Sequence, residues 1–177
     1  MSSLGYHYHF VMNKYDYYRS NDSILQYKKL YKFKSPKSHQ WYMVWVECYR
    51  HHFYAVKFHL KNHRYSDNKY RYMTKLNEAR QVIHTCINIM LEIAMEDDLS
   101  SFGFIGANSI GESIKETKRF QVYKILMATY FSEEHFLHVQ NVNKSAYVMI
   151  RKEMQRKRPE ILDELNDSFI SEYDYFE

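Results

Sequence analysis

Residues Phe102–Arg151 read FGFIGANSIGESIKETKRFQVYKILMATYFSEEHFLHVQNVNKSAYVMIR, and three of the chain's four glycines, Gly103, Gly106 and Gly111, fall near the start of this stretch. A short apolar run, a loop of small residues, an amphipathic segment and two alternating runs predict a strand, a loop, a helix and a hairpin. Phe102–Ala107 suits a parallel or central strand reached by a crossover helix. Thr117–Phe131 forms a helix that turns Phe120, Tyr123, Met127, Tyr130 and Phe131 inward and Lys118, Arg119 and Lys124 toward solvent. Phe136–Val142 and Ala146–Arg151 close the unit as strands, with Asn143 as the left-handed residue of their turn.

Upstream, Tyr6–Met12, Gln26–Lys34, Trp41–Cys48 and Phe53–Leu60 read as strands. The last two form a hairpin. The near-continuous apolar run WYMVWVEC argues for a central strand covered on both faces. In the first strand, Tyr6, Tyr8, Phe10 and Met12 make an aromatic inner face. A helix begins near Thr74 or Asn77 with Glu78 in its first turn. Its stripe is Leu76, Ala79, Ile83, Cys86, Ile87, Met90 and Ala94, widened by Val82, Ile89 and Ile93. The polar connection before it, KNHRYSDNKYRYMTK, shows no regular pattern. The expected fold is α+β: a mostly antiparallel central sheet with two long helices packed on it, over residues 1–158. An acidic helix opened by Pro159 and a tail make up 159–177.

The length of 177 residues suits one domain. Eighteen tyrosines and eleven phenylalanines against four glycines and two prolines favour packed elements over long loops. Cys48 and Cys86, placed in a strand and a helix, read as buried thiols of a reducing compartment. No stretch approaches the roughly 20 consecutive apolar residues of a membrane span, and the N-terminus lacks a basic region followed by an apolar run. A cytoplasmic location with no membrane partner is the expectation. The charge is divided: residues 1–91 carry 15 Lys and Arg against 5 Asp and Glu, and residues 92–177 carry 10 against 16, so the halves are +10 and −6. A basic half of that size suits an acidic partner.

The element order of four strands, helix, strand, helix and hairpin resembles the core of the GNAT acetyltransferases over Tyr6–Arg151. The helix ETKRFQVYKILMATYF is similar to that family's fourth helix, in which a tyrosine protonates the departing thiolate of coenzyme A. It also resembles the R-x-R-L-Y-type helix of uncharacterised bacterial families of GNAT-like topology. The GNAT resemblance implies Tyr123 as general acid and acetyl-CoA as cofactor of an N-acyltransferase; for such an enzyme Glu47, on a central strand, is the candidate base. The family's pyrophosphate loop, [QR]-x-x-G-x-[GA], has no counterpart, since YRYMTKLNEAR contains no glycine. Glu116 stands where the fourth helix has Asn, and Met127 and Ala128 where it has Gly-Phe. The first reading is therefore a non-catalytic binding protein with no expected cofactor, recognising a protein partner or a phosphate-bearing ligand. The active N-acyltransferase is the alternative. By analogy alone, accessory proteins of bacterial or phage conflict systems are a suitable setting.

Three constellations carry candidate chemistry. Small residues before the second long helix, with Asn108, Ser109, Lys118 and Arg119, place hydroxyls, amides and two cations where an anion would sit, with Tyr123 lining the cleft. Neither G-x-x-x-x-G-K-[ST] nor G-x-G-x-x-G runs through that loop. Basic residues interleaved with aromatics, Lys28, Lys32 and Lys34 in one segment and Arg64, Lys69 and Arg71 in another, suit a single-stranded nucleic acid, whose phosphates the cations track and whose bases stack on rings; a solvated strand face is the ordinary explanation. Phe169, Tyr173, Tyr175 and Phe176 in the acidic C-terminus suggest docking to a protein partner. Ten histidines show no metal-ligand spacing, and a strand cysteine such as Cys48 has a raised pKa, so neither a metal site nor a thiol nucleophile is assigned.

Overall fold

The computed structural model describes residues 4–16, 25–165 and 167. Strands β1 (Tyr8–Tyr15), β2 (Leu25–Lys34), β3 (Trp41–Tyr49), β4 (Phe53–Leu60), β5 (Ser101–Ile105), β6 (Phe136–Asn141) and β7 (Ala146–Arg151) form one sheet in the order β1-β2-β3-β4-β5-β7-β6. Every neighbouring pair is antiparallel except β4 and β5. The crossover between that parallel pair contains α1 (Ala79–Glu96). Helix α2 (Lys118–Tyr130) links β5 to the hairpin, and a short α3 (Lys152–Lys157) follows β7. The fold is α+β, with a mostly antiparallel sheet and two long helices.

Register assigns the faces, because directly opposed residues share one side of a sheet and successive residues alternate. Lys28 opposes Glu47, Leu30 opposes Trp45, Lys32 opposes Met43 and Lys34 opposes Trp41. Across β3, Trp45 faces Lys57 and Met43 faces His59. These residues form the outer face. The inner face carries Tyr31, Phe33, Tyr42, Val44, Val46, Cys48, Val56, Phe58 and Leu60, packed with Val82, Ile83, Cys86, Ile87, Met90 and Ile93 of α1 and Phe120, Tyr123, Leu126 and Met127 of α2. Both long helices thus cover one side. On the opposite side a smaller cluster joins Leu25, Tyr49, Phe53, Ala55 and Ile150 to Met154 of α3 and to Ile161 and Leu165. The helical residues 161–165 therefore pack on the same body as the sheet. Trp41, Met43 and Trp45 join neither cluster and are half-buried.

Several local expectations are corrected. A bulge between Phe10 and Met12 moves Met12 to the outer face, opposite Leu30, while Tyr8 and Phe10 oppose Phe33 and Tyr31. Being at the sheet edge, β1 leaves Phe10 53% and Met12 44% exposed. Among the described residues, β3 is covered along its inner face but only at one end of its outer face. Helix α1 begins at Ala79, after Asn77 takes a left-handed φ of 55°, so Leu76 falls outside the buried stripe and is 48% exposed. Ser145, rather than Asn143, is the left-handed residue between β6 and β7, with φ 50°. The connection after β4 holds two 3₁₀ turns, Lys61–His63 and Lys69–Arg71. Residues 17–24 and the tail aromatics Phe169, Tyr173, Tyr175 and Phe176 lie outside the described residues. Among the described residues, no helix is long and apolar enough to cross a membrane.

Candidate functional site

The loop before α2 is held by its own groups. Thr117 caps the helix, its Oγ1 accepting from Phe120 N at 3.2 Å and donating to the Gly106 carbonyl at 2.6 Å. That contact draws the helix onto the end of β5. A Cβ at Gly106 would lie 2.6 Å from Phe120 N, which is why only glycine fits there. The predicted convergence on an anion exists, and the anion is a residue of the chain: Glu112 accepts from Lys118 N at 2.9 Å and from Ser109 N at 2.8 Å. Burial pushes the Glu112 pKa up, but the two amide bonds and the Lys118 and Arg119 charges outweigh it and hold the carboxyl below its ordinary value. Asn108 donates from Nδ2 to the Glu112 carbonyl at 2.9 Å and accepts at its own carbonyl from Arg71 Nε at 3.2 Å. Glycine spacing points to the loop; it does not point to Glu112, the acid three residues after Ser109.

Arg119, expected near solvent, is 4% exposed. β4 and β5 pair over only three positions, Phe53 with Ser101 to Ala55 with Gly103, and part beyond them. Arg119 reaches toward β4 from the α2 side. Its guanidinium lies 5.4 Å above the Phe58 ring, Nη1 donates to the Tyr70 carbonyl, and Nε points to Met73 Sδ at 3.2 Å. Burial lowers its pKa. Tyr123 lies in the inner core and does not line a cleft: its ring is 4.7 Å from that of Phe104, and burial beside the Cys86 thiol raises the hydroxyl pKa.

Glu47 is on the outer face, so the sheet separates it from Tyr123, and the two do not form an acid–base pair around one substrate. It is buried, in an ion pair with Lys57, with Lys28 Nζ at 3.9 Å and the Tyr49 hydroxyl donating to it at 3.3 Å. It is also the only acidic residue in β1 to β4, strands that carry six lysines.

The outer face beyond Glu47 gathers the strongest surface chemistry. Lys32 Nζ stands 5.4 Å from the Trp41 ring and Lys14 Nζ 6.0 Å from the Trp45 ring. Lys32 and Lys34 are exposed. At the β4 side, Tyr70 packs edge-on to His59 at 5.6 Å and lies under Lys57 at 5.7 Å and Lys69 at 5.2 Å. Arg64 stacks 4.6 Å from Tyr65, which is 87% exposed. The structure therefore brings Lys28, Lys32 and Lys34 together, sets Lys69 at one margin, and fixes Arg71 to the Asn108 carbonyl instead. Sequence reasoning does not single out Trp41, Trp45 and Lys14. The signal is the period of two in WYMVW, where both tryptophans share a parity.

A second carboxylate carries an unusual shell. Glu78, fully buried at the start of α1, accepts from the hydroxyls of Tyr42 at 2.6 Å, Thr74 at 2.8 Å and Ser35, with Tyr6 at 3.5 Å. Elsewhere, Asp97 accepts from the Tyr54 hydroxyl at 2.7 Å and contacts His52 Nδ1 at 2.8 Å. His63 stacks on Tyr72, with ring centroids 4.2 Å apart. Among the described residues, no group of three or more His, Cys, Asp or Glu is placed to hold a metal. Both cysteines are free and buried, and burial pushes the Cys48 thiol up to about 11.

No protein-family model matches the chain, and neither curated proteins nor solved structures give a match.

Proposed function

We propose that this chain is a non-catalytic binding protein on a GNAT-like scaffold, and that its ligand is a phosphate-bearing polyanion held on the outer face of β1 to β4. The observation that carries the reading is the composition of that face: Lys14, Lys28, Lys32, Lys34 and Lys57 stand on it against one glutamate, with the glutamate buried and both tryptophans of the chain beside the exposed cations, while Lys29, opposite Val46, lies on the other side. A one-signed field over a flat face raises the local concentration of an oppositely charged ligand.

The scaffold part of the reading rests on the strand order, the single parallel pair and the α1 crossover between its members. The absence of acyl transfer rests on filled space. The region where β4 and β5 part is occupied by Arg119 and by Tyr70 and Met73 of the preceding connection, so a coenzyme entering there must displace a buried guanidinium. Tyr123 and Glu47, the acid and base of the alternative, face different sides of the sheet.

Thermal shift with inorganic polyphosphate, a short oligonucleotide and acetyl-CoA tests the reading, because a ligand that binds only the native state raises Tm. Polyanions stabilise the chain, the effect falls steeply with added salt, and Lys32→Glu with Lys34→Glu removes it. Stabilisation by acetyl-CoA in preference to the polyanions would overturn the proposal.

A further inference from the structure

We infer that the outer face of β1 to β4 binds single-stranded nucleic acid, with bases stacking on Trp41 and Trp45 while the surrounding lysines hold the phosphates; this rests on the polyanion reading and names its ligand. A face built only to attract phosphate needs cations and no rings. Here both tryptophans of the chain project from one strand on one side, four residues apart with Met43 between them. That spacing sets the indoles about 13 Å apart along an extended strand. Both side chains are half-buried and, among the described residues, belong to neither apolar cluster, so they are not part of the fold's core.

The cations stand where exchange is possible. Lys32 lies over Trp41 and Lys14 over Trp45, and each is a flexible ammonium on a four-carbon stem. On arrival of a strand, the ammonium moves from the ring to a phosphate, and a base takes its place on the indole. Base–aromatic stacking tolerates any sequence, since every base has a π-face. Lys28 and Lys57, held toward the centre by Glu47, line the inner margin, and Lys34 the outer.

A duplex fits poorly. Its bases are stacked on each other and hidden, and reading them requires an element that enters a groove. Both long helices pack on the other side of the sheet, and the face itself is a sheet surface. An acidic peptide would satisfy the lysines but leave the indoles without planar partners.

The experiment uses the full chain and a fluorescent oligothymidylate about 15 nucleotides long, long enough for a platform of this size. Anisotropy gives the affinity; intrinsic tryptophan emission reports on this face alone, because the chain has no other tryptophan. Expected are saturable binding with quenching of that emission, and a loss of about 50-fold between 50 and 200 mM salt for four phosphate contacts. Trp41→Ala or Trp45→Ala weakens binding about tenfold to a hundredfold, Trp→Phe at either site retains most of it, and Lys32→Glu weakens it while leaving Tm near that of the parent. Equal affinity for polyphosphate, for a duplex of the same length or for polyglutamate, without quenching, would overturn the stacking inference and leave the anionic reading standing. Failure of every polyanion to bind overturns both.

Discussion

Replacing Glu78 by alanine removes the acceptor shared by the hydroxyls of Ser35, Tyr42 and Thr74. These groups come from the end of β2, from β3 and from the approach to α1, so one carboxylate ties the helix start to the sheet. Hydrogen bonds to a charged group contribute about 1.5–3 kcal/mol each, and the Ser35 and Tyr42 hydroxyls left behind stay buried without this acceptor. The three bonds share one acceptor and do not add, so the expected loss is about 4 kcal/mol, in the range seen when a buried charge network loses a member. For a chain of this length that is a fall in Tm of about 8–16 °C. Glu78→Gln, which keeps one carbonyl oxygen, falls about halfway.

The pH dependence separates a charge effect from a packing effect. Burial raises the Glu78 pKa, the hydroxyls of Ser35, Tyr42, Thr74 and Ser38 lower it, and the net result lies below the ordinary 4.5. A group whose folded pKa is depressed stabilises the fold fully above its unfolded pKa, and the contribution is lost as pH falls through the folded value. The difference between the parent and Glu78→Gln, read from urea unfolding, is therefore largest at pH 7 and shrinks below about pH 4.5. A Glu78→Ala variant within about 1 kcal/mol of the parent, or a gap that does not change from pH 7 to pH 3, would show that the Glu78 charge does not tie the helix start to the sheet.

Gly106→Ala puts a methyl group against the Phe120 amide and costs about 3 kcal/mol in urea unfolding. Gly111→Asn, at φ +84° with no atom within 4 Å of where a Cβ would lie, changes stability by less than about 1 kcal/mol and serves as its control. Glu112→Ala frees the Lys118 and Ser109 amides and costs about 1–2 kcal/mol at pH 7, a cost that diminishes as the parent's carboxyl is protonated in acid, because its folded pKa lies below the ordinary value. Neither Cys48 nor Cys86 reacts rapidly with a thiol reagent at pH 8 in the native chain, and both react in urea; burst labelling of the folded protein would contradict their burial and raised pKa values.

Much of the fold is legible because one-sided burial leaves a period in the sequence. Phe53–Leu60 is observed with the bounds its alternation indicates, and the stripe Ile83, Cys86, Ile87 and Met90 is buried as its 3.6-residue spacing implies. What is illegible depends on position rather than pattern. The β1 bulge reverses the face of Met12 without altering the alternation of residue types. Arg119 reads as a surface cation beside Lys118 until the early separation of β4 and β5 gives its guanidinium a buried place against Phe58. Gathering of Asn108, Ser109 and Lys118 near an anion is legible; that Glu112 provides the anion is not, since any nearby carboxylate has the same composition signal.

Along the outer side of β3 the residues Tyr49, Glu47, Trp45, Met43 and Trp41 pass from buried to half-buried. Tyr49 lies beneath Met154, Ile161 and Leu165 of the second apolar cluster, and Trp45 does not. Glu47 stands at that boundary. An acid there pairs with Lys28 and Lys57 where the apolar cover stops. An antiparallel sheet facing water ordinarily alternates polar residues outward, and Lys28, Lys32, Lys34 and Lys57 meet that pattern, while Trp41 and Trp45 break it in the middle strand. Lysine stems and ammonium groups over the indoles reduce the exposed apolar area at the cost of holding flexible side chains in place. Removing Glu47 therefore affects the face before it affects the core: Glu47→Gln leaves the inner cluster untouched and takes the carboxylate charge from between Lys28 and Lys57. The residue that an acyltransferase would use as its candidate base is, in this fold, the one that pairs with cations of the outer face.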